Sequence, residues 1–288
     1  MTYEIQSVND IRKLLRTELS DLYNEKEIDS VSKIILKTLF GADRLHLLLS
    51  SGTAVSNEMS QRVGAMTEAL KTGMPLQYVL GETEFYGMKI KVDHNVLIPR
   101  PETEELADLV IRENKGPVNR IIDFCTGSGC LAIALAKNLR LASILGTDIS
   151  PGAIEVAKEN AKLNRAEVKF MISDIFGPLP PGATGTGIIV SNPPYVRDSE
   201  RELMHINVKG FEPPAALFVP DNDPLKFYRR LFEISAEILL PRGRFYFEIN
   251  EALGEMVSAM AREYGFNDVG LIKDLNSRDR FIKGVLNG

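Results

Sequence analysis

From residue 102 onward, short apolar segments alternate with helix-length segments, and this rhythm constrains the fold more than any other feature of the chain. Strands are predicted at Arg120–Phe124, Ser143–Thr147, Val168–Ile172, Gly187–Val190 and Gly243–Glu248. Helices are predicted over 102–114, Cys130–Leu139, 224–240 and 252–264, with a further helix that Ser150 caps. Such alternation implies an α/β fold with a mostly parallel sheet and helices on both faces. Two last apolar stretches, Val269–Ile272 and Arg280–Val285, predict an antiparallel hairpin at the sheet edge.

The first eighty residues follow a different pattern. Apolar residues recur every three or four positions in three stretches, which begin at Ile11, Ile28 and Met59, and this spacing predicts amphipathic helices. Phe85-Tyr86-Gly87 then indicates a hairpin, and the proline-rich segment 97–101 an extended connection. We therefore expect a helical domain over 1–80, a hairpin hinge over 81–101 and an α/β domain over 102–288.

Composition narrows the class of protein and of partner. The chain has 288 residues, 44% hydrophobic and 25% charged, which is ordinary for a globular protein of about two domains. The net charge is −5, and the first hundred residues carry 12 basic and 13 acidic side chains, so neither half is basic. This argues against a nucleic-acid partner. Without an apolar run of membrane-spanning length or a signal peptide, a cytoplasmic location is expected. The two cysteines and three histidines have no metal-ligand spacing, so no metal is expected.

A glycine-rich turn joins the first predicted strand of the α/β domain to its helix. Gly127 to Ala132 matches the loose G-x-G-x-x-A pattern, and Asp148 follows Gly129 by nineteen residues, where a ribose-binding acid is expected. These features predict a nucleotide-type cofactor without choosing among cofactors. Asp174 could lie at the edge of an adenine with Ile175 against its face, although an Asp after a strand is often a turn residue.

The segment Asn192-Pro193-Pro194-Tyr195 follows another apolar strand, and its residue types indicate the kind of group on which the protein acts. Two prolines fix the backbone, so that the Asn192 side-chain oxygen and a backbone carbonyl can each accept one hydrogen of a planar –NH2 group. The Tyr195 ring can stack on the same plane. Such a site orients a weak nitrogen nucleophile toward an electrophile. The alternative is a structural turn, since Asn-Pro is common in turns.

With these motifs the chain resembles the S-adenosylmethionine-dependent class I methyltransferases, which have a Rossmann-like fold. More narrowly, it is similar to the release-factor glutamine methyltransferase (PrmC/HemK) family. The resemblance spans about residues 75–284. It rests on the glycine loop, on Asn192–Tyr195, and on the segments Pro75–Tyr78 with Gly81-Glu82, Glu84–Gly87, Leu97–Glu104, Asp274-Leu275 and Arg278–Arg280. The Leu97–Glu104 segment narrows the resemblance most, because N-P-P-Y also occurs in DNA adenine and RNA guanine methyltransferases.

The resemblance implies a set of roles. Cys125, Thr126, Gly127, Ser128 and Gly129 would hold the methionine part of S-adenosylmethionine, Asp148 its ribose, and Ile175 its adenine. Asn192, Pro193, Pro194 and Tyr195 would receive the glutamine of the Gly-Gly-Gln tripeptide in peptide chain release factors. The helical domain would help to grip that protein partner, and we expect a monomer. This chain departs from the family pattern at Cys125, where Gly is usual, and at Phe218–Asp221, where family members generally continue with glycines.

Three other functions are weighed against this one. A nucleic-acid amino-group methyltransferase shares N-P-P-Y but is disfavoured by the spread acidic charge. A nicotinamide-dependent dehydrogenase fits the glycine loop and leaves Asn192–Tyr195 unexplained. A catalytically silent binding module would keep the fold, and Cys125 is its only hint. Arg100 and Glu102 either contact a ligand or brace the hinge through a salt bridge, and His205 is expected at the surface.

Overall fold

The computed structural model describes residues 3, 5–41 and 53–288, and the chain divides into two compact units. The first comprises the chain up to Leu80 together with Ile206–Phe211, and the second comprises Gly81–His205 and Glu212–Gly288. His46, which the apolar spacing around it predicts to be packed in a helix or at its rim, lies outside the described residues. In chain order the described helices are α1 Val8–Leu19, α2 Glu25–Phe40, α3 Asn57–Lys71, α4 Leu76–Leu80, α5 Pro101–Glu113, α6 Cys130–Asn138, α7 Pro151–Asn164, α8 Ile206–Lys209, α9 Lys226–Ile238 and α10 Gly254–Glu263.

The described strands divide among three sheets. They are β1 Glu82–Phe85, β2 Met88–Lys91, β3 Arg120–Phe124, β4 Ser143–Asp148, β5 Lys169–Ile172, β6 Thr186–Ser191, β7 Val196–Arg197, β8 Phe218–Val219, β9 Leu239–Glu248, β10 Phe266–Lys273 and β11 Asp279–Leu286. Seven of them form the main sheet, in the order β10-β11-β9-β6-β3-β4-β5. The pairs β1-β2 and β7-β8 stand apart from it.

Polar side chains cap the N-termini of the first two helices of the helical unit. Ser7 starts α1 and Asn24 starts α2, and in each case a capping box satisfies backbone N–H groups that the first turn leaves unpaired. The buried faces of α1, α2 and α3 form one apolar core. The predicted apolar pattern also included Leu22 in its first stretch and Ile34 in its second, and both lie outside that core. Leu22 follows the end of α1, and Ile34 is exposed because the next residue, Ile35, takes the core position.

The main sheet confirms the predicted fold class. Strands β9, β6, β3, β4 and β5 run parallel, and β11 is antiparallel to both β9 and β10. The predicted hairpin of the last two stretches is thus β10 and β11, and β11 is the strand that pairs with β9. In β3 and β6 successive residues are buried, because helices cover both faces of a parallel sheet. A cluster of Phe232, Phe245, Phe247 and Phe266 fills part of the core on one side.

The hairpin of β1 and β2 belongs to the second unit and is fastened to α7. The Asn160 side chain accepts a hydrogen bond from the Lys91 backbone N–H at 2.7 Å and donates one to the Lys91 carbonyl at 3.0 Å. It also donates to the carbonyl of Ser128 at 3.0 Å. One fully buried side chain therefore links the hairpin, α7 and the glycine loop.

The strand order reverses at β3, whose neighbours are β4 on one side and β6 on the other. In open α/β sheets a ligand cleft forms at the carboxyl ends of the strands at such a reversal. The three strands end near Asp123, Asp148 and Asn192, so the fold brings these predicted site residues to one edge of the sheet.

Candidate active site

A cavity of about 460 Å³ opens at this edge of the sheet and lies entirely within the second unit. Its volume is in the range of small-molecule sites, roughly 300–1,000 Å³. Among its lining residues are Cys125–Ser128 after β3, Asp148 after β4, Asp174–Phe176 after β5, and Asn192 and Pro194 after β6. The predicted cofactor and substrate segments therefore share one cavity.

The glycine loop follows a left-handed path. Cys125 has φ +58°, Gly127 +52° and Gly129 +78°. Two observations require glycine at position 129. Its φ is positive, and a Cβ there would lie 2.9 Å from the Phe170 ring. At Gly127 no atom lies within 4 Å of the Cβ position, so a ligand can approach the backbone closely. Cys125 occupies a conformation that favours glycine, which costs roughly 1–2 kcal/mol for an L-residue.

Asp123 anchors the loop from beneath. Its carboxylate accepts hydrogen bonds from the Thr126 hydroxyl at 2.6 Å and from the Ala132 backbone N–H in the first turn of α6. The residue is 1% exposed, and this burial raises the pKa of Asp123 to about 7 against the hydrogen bonds that favour its charged form. The sequence reading assigned this residue no role, although a charged residue inside the apolar strand β3 was a visible signal.

Asp148 joins the loop to the cavity wall. One carboxylate oxygen accepts from the Gly127 N–H at 2.9 Å and the other from the Ser150 N–H at 3.0 Å. Burial raises the pKa of Asp148, and these backbone donors oppose the rise. Each oxygen has a further lone pair, so the carboxylate can still accept hydrogen bonds from a ligand's hydroxyl groups. Ser150 caps α7, as predicted.

The segment after β5 supplies an apolar wall. Asp174 accepts a hydrogen bond from the Phe176 N–H at 2.9 Å, which is the turn geometry that the sequence left open as an alternative. Ile175 is buried, whereas Phe176 is 45% exposed and lines the cavity. The Phe176 ring lies 5.1 Å from that of Phe227, and the Lys226 ammonium is also 5.1 Å from the Phe176 ring centre. The sequence reading missed Phe176.

Behind the cavity, Asn192 and Tyr195 belong to one hydrogen-bond network. The Asn192 Nδ2 donates to Thr103 Oγ1 at 3.0 Å, and Thr103 Oγ1 donates to Glu248 Oε2 at 2.8 Å. The Tyr195 hydroxyl donates to Glu248 Oε1, also at 2.8 Å. Burial raises the pKa of Glu248, while the two hydroxyl donors and the positive charge of Arg280 favour the carboxylate. Sequence reasoning assigned no role to Thr103 or Glu248.

Three of the predicted site residues lie behind the wall of the cavity. Gly129 faces the Phe170 ring, and Pro193 is buried. Tyr195 packs against the hydrophobic core of the sheet, and its backbone carbonyl accepts a hydrogen bond from Asn250. The cavity wall itself holds Asn192 and Pro194 of the N-P-P-Y segment.

Glu212 is a further buried carboxylate, and its cationic partner is a cavity-lining residue. The Glu212 side chain is 1% exposed and accepts hydrogen bonds from the Ile98 backbone N–H at 3.0 Å and from the Arg100 guanidinium at 2.7 Å. Arg100 and Pro213 both line the cavity. The sequence left open whether Arg100 contacts a ligand or forms a salt bridge. In the structure it forms a salt bridge with Glu212, and it also lines the cavity.

Other reactive groups point to no further chemistry here. Burial raises the pKa of both Cys125 and Cys130, so both remain thiols at neutral pH. Across residues 3, 5–41 and 53–288, no three His, Cys, Asp or Glu side chains are grouped as metal ligands would be. His205 is exposed, and His94, which sequence reasoning did not select, lines the cavity. In the same described ranges, none of the helices combines the length and apolarity needed to cross a membrane.

Comparison with known proteins identifies the class first. Residues 106–209 match the family model of the methyltransferase small domain. A crystal structure of a methyltransferase from Pyrococcus furiosus superimposes with a TM-score of 0.54 at 15% identity, and the match covers 81% of this chain and all of that one. The fold and the site together define a Rossmann-like class I methyltransferase.

Closer relatives identify the family. Residues 10–81 match the model of the PrmC N-terminal domain. A release factor glutamine methyltransferase of Bacteroides thetaiotaomicron is 40% identical over 96% of this chain and 99% of its own length. One of Flavobacterium psychrophilum is 42% identical over 92% and 94%. The chain belongs to the release factor glutamine methyltransferase family, which confirms the resemblance drawn from its motifs.

Proposed function

We propose that this protein transfers a methyl group from S-adenosylmethionine to the side-chain amide nitrogen of the glutamine in the Gly-Gly-Gln tripeptide of peptide chain release factors. The observation that carries the proposal is the placement of Asn192 in the same cavity as the glycine loop and Asp148. That cavity can hold a nucleoside-type cofactor beside a group able to orient an amide. The names of its relatives support the same reaction and the same protein substrate.

The cavity residues fit S-adenosylmethionine. The open Cβ position at Gly127 lets the methionine part lie against the loop backbone from Cys125 to Gly129. The Asp148 carboxylate can accept hydrogen bonds from both ribose hydroxyls. Ile175 and Phe176 offer apolar surface to the adenine, and Asp174 lies at its edge. When bound, the cofactor supplies an electrophilic methyl group on a positively charged sulfur.

The protein's task is to make a poor nucleophile reactive. The lone pair of an amide nitrogen is delocalised into its carbonyl, so the nitrogen must be held in line with the methyl group. In this proposal the Asn192 Oδ1 accepts one N–H of the substrate amide and the Pro193 carbonyl accepts the other. Pro194 lies in the cavity wall beside the amide, and Tyr195 supports the segment from behind that wall. The nitrogen gains the methyl group and loses one hydrogen as a proton. Direct transfer requires no covalent enzyme intermediate.

The helical unit is proposed to bind the body of the release factor. Residues 10–81 match the PrmC N-terminal domain model, so this unit belongs with the family's shared architecture. We propose the domain limits 1–80 for recognition, 81–101 for the hinge and 102–288 for catalysis. A monomer acting in the cytoplasm on a protein, without direct nucleic-acid contact, completes the proposal.

Mass spectrometry of a release factor incubated with the protein and S-adenosylmethionine tests the function. One added methyl group is expected on the tripeptide glutamine, and none on a release factor whose tripeptide glutamine is replaced by alanine. Labelled methyl should stay out of DNA and RNA supplied in the same reaction. Transfer to nucleic acid and not to the release factor would establish the competing function.

The role of Asn192 has its own test. Asn192→Ala should leave the cofactor Kd largely unchanged while turnover collapses, because the residue orients the acceptor nitrogen and the loop binds the cofactor. The exposed Asn276 on the β10–β11 connection provides a matched control, Asn276→Ala, with unchanged turnover. Full turnover by Asn192→Ala would remove Asn192 from its role.

A further inference from the structure

The buried carboxylate of Glu248, at the end of β9, receives two hydroxyl groups from distant parts of the chain. Glu248 is 1% exposed, and its two oxygens accept hydrogen bonds from Thr103 and Tyr195, each at 2.8 Å. In both contacts the hydroxyl is the donor and the carboxylate oxygen is the acceptor. Each hydroxyl therefore commits its single hydrogen to Glu248.

This commitment determines what Thr103 can offer to Asn192. With its hydrogen directed to Glu248, the Thr103 oxygen can only accept a further hydrogen bond. The Asn192 amide lies 3.0 Å away and meets that requirement with its NH2 group. The reverse orientation of the amide would set the Asn192 oxygen against the Thr103 oxygen with no hydrogen between them. Glu248 and Thr103 together thus select one of the two orientations of the Asn192 amide.

We infer that Thr103 is a positioning residue that holds the Asn192 amide with its oxygen available to the substrate nitrogen. Thr103 is 4% exposed in the first turn of α5, so its side chain has little freedom to turn away. The inference deepens the proposed function and rests on it for the identity of the substrate. An Asn192 held the other way would present N–H donors to the N–H donors of a glutamine amide, and no hydrogen bond could form.

The network also gives a reason for selecting an amide over an acid. A glutamate side chain differs from glutamine in offering only acceptors once ionised. The Asn192 oxygen repels such a carboxylate, whereas an Asn192 free to rotate can turn its NH2 group toward it. Loss of the Thr103 hydroxyl should therefore weaken the glutamine reaction and strengthen binding of a glutamate analogue.

The decisive variants are Thr103→Val, which keeps the shape and removes the hydroxyl, and Thr103→Ser, which keeps the hydroxyl. Thr103→Val should lower kcat on the release factor by about tenfold to a hundredfold, the range for a lost hydrogen bond that leaves its partner unpaired, with an unchanged cofactor Kd. Thr103→Ser should restore most of kcat. A release factor with the tripeptide glutamine replaced by glutamate should inhibit Thr103→Val at lower concentration than it inhibits the unmodified protein.

Thr186→Val separates positioning from general stability. Thr186 is also fully buried, and its hydroxyl donates to the Ala183 carbonyl at 2.6 Å, at the opposite end of β6 from Asn192. The Thr186→Val variant should lower Tm about as much as Thr103→Val does. Its kcat, and its weak binding of the glutamate analogue, should stay as in the unmodified protein. Equal kcat in Thr103→Val and the unmodified protein, or loss of kcat in both valine variants in proportion to Tm, would overturn the inference.

A measurement without substrate keeps this inference distinct from the proposed function. In side-chain NMR, the Asn192 NH2 protons should be protected from solvent exchange in the unmodified protein and in Thr103→Ser, and lose that protection in Thr103→Val. If protection follows Thr103 but no methyl reaches the release factor, the proposed function fails and the orientation of Asn192 stands. If methyl transfer occurs and protection ignores Thr103, the function stands and the positioning role fails.

Discussion

Replacing Asp123 with Asn is expected to stabilise the ligand-free protein at neutral pH by an amount that depends on pH. Burial raises the pKa of Asp123 from an ordinary value of 3.8 to about 7 in the folded protein. A difference of about 3 pKa units corresponds to about 4 kcal/mol between the protonated and charged forms. The residue is 1% exposed, so solvent screens little of this difference.

The sign follows from proton binding. Between about pH 4 and pH 7 the folded protein keeps the Asp123 proton and the unfolded chain has lost it, so the free energy of unfolding falls as pH rises. Below pH 4 both states are protonated and Asp123 imposes no penalty. Above about pH 7 both are charged, and the full cost of about 4 kcal/mol is present. The amide introduced by Asp123→Asn would carry no charge at any pH and can still hydrogen-bond with the Thr126 hydroxyl.

Urea unfolding followed by circular dichroism, from about pH 5 to pH 8, measures this effect. The stability of Asp123→Asn minus that of the unmodified protein should increase with pH and level off above about pH 7. Glu237→Gln, which removes a carboxylate at an exposed position of α9, is the matched control. A flat difference for Asp123→Asn would refute the reasoning, because it would mean that Asp123 has similar pKa values in the folded and unfolded states.

Three further substitutions test how the cavity walls are held. Gly129→Ala places a methyl group 2.9 Å from the Phe170 ring at a positive φ, so thermal unfolding should show a loss of about 2–4 kcal/mol and calorimetry a weaker cofactor Kd. Arg100→Met leaves the buried Glu212 carboxylate without its cation and should cost about 2 kcal/mol, part of which Glu212→Gln in the same chain should restore. Asn160→Ala removes three hydrogen bonds at once, should cost about 3 kcal/mol, and should speed amide hydrogen exchange at the hairpin and the glycine loop.

The sequence predicted the local elements well because their signals are local. The limits predicted for β3 are those observed, and the Ser150 cap with Pro151 starts α7 as expected. The observed β9 begins at Leu239, four residues before the predicted start at Gly243, because Pro241 and Gly243 are residues typical of turns. In the structure the strand continues through them from Leu239, with a register shift against β6 and a left-handed Arg242. A tertiary pairing overrode the turn propensity there.

Some residues of the candidate site could be predicted from the sequence and others could not. The glycine loop, Asp148 and Asn192 could be predicted because each follows an apolar strand whose end falls at the same edge of a parallel sheet. The contact between Thr103 and Glu248 could not be predicted, because the two residues are 145 positions apart and no local sequence pattern relates one to the other. Phe176 left a weak signal, as an aromatic residue directly after the predicted adenine contact.

Two of the buried carboxylates explain why the segment Leu97–Glu104, which includes the first turn of α5, has the sequence it has. Glu212 holds the Ile98 N–H and the Arg100 guanidinium, and Glu248 holds the Thr103 hydroxyl. The segment is therefore fixed at both ends by carboxylates from the far half of the chain: Glu212 holds the cavity-lining Arg100, and Glu248 lies behind Asn192. Each buried carboxylate needs its donors, since leaving one unpaired is costly. The segment that most narrowed the family from sequence is thus one whose residues build a cavity wall and orient Asn192 together, so a change at either end should disturb the reaction as well as the fold.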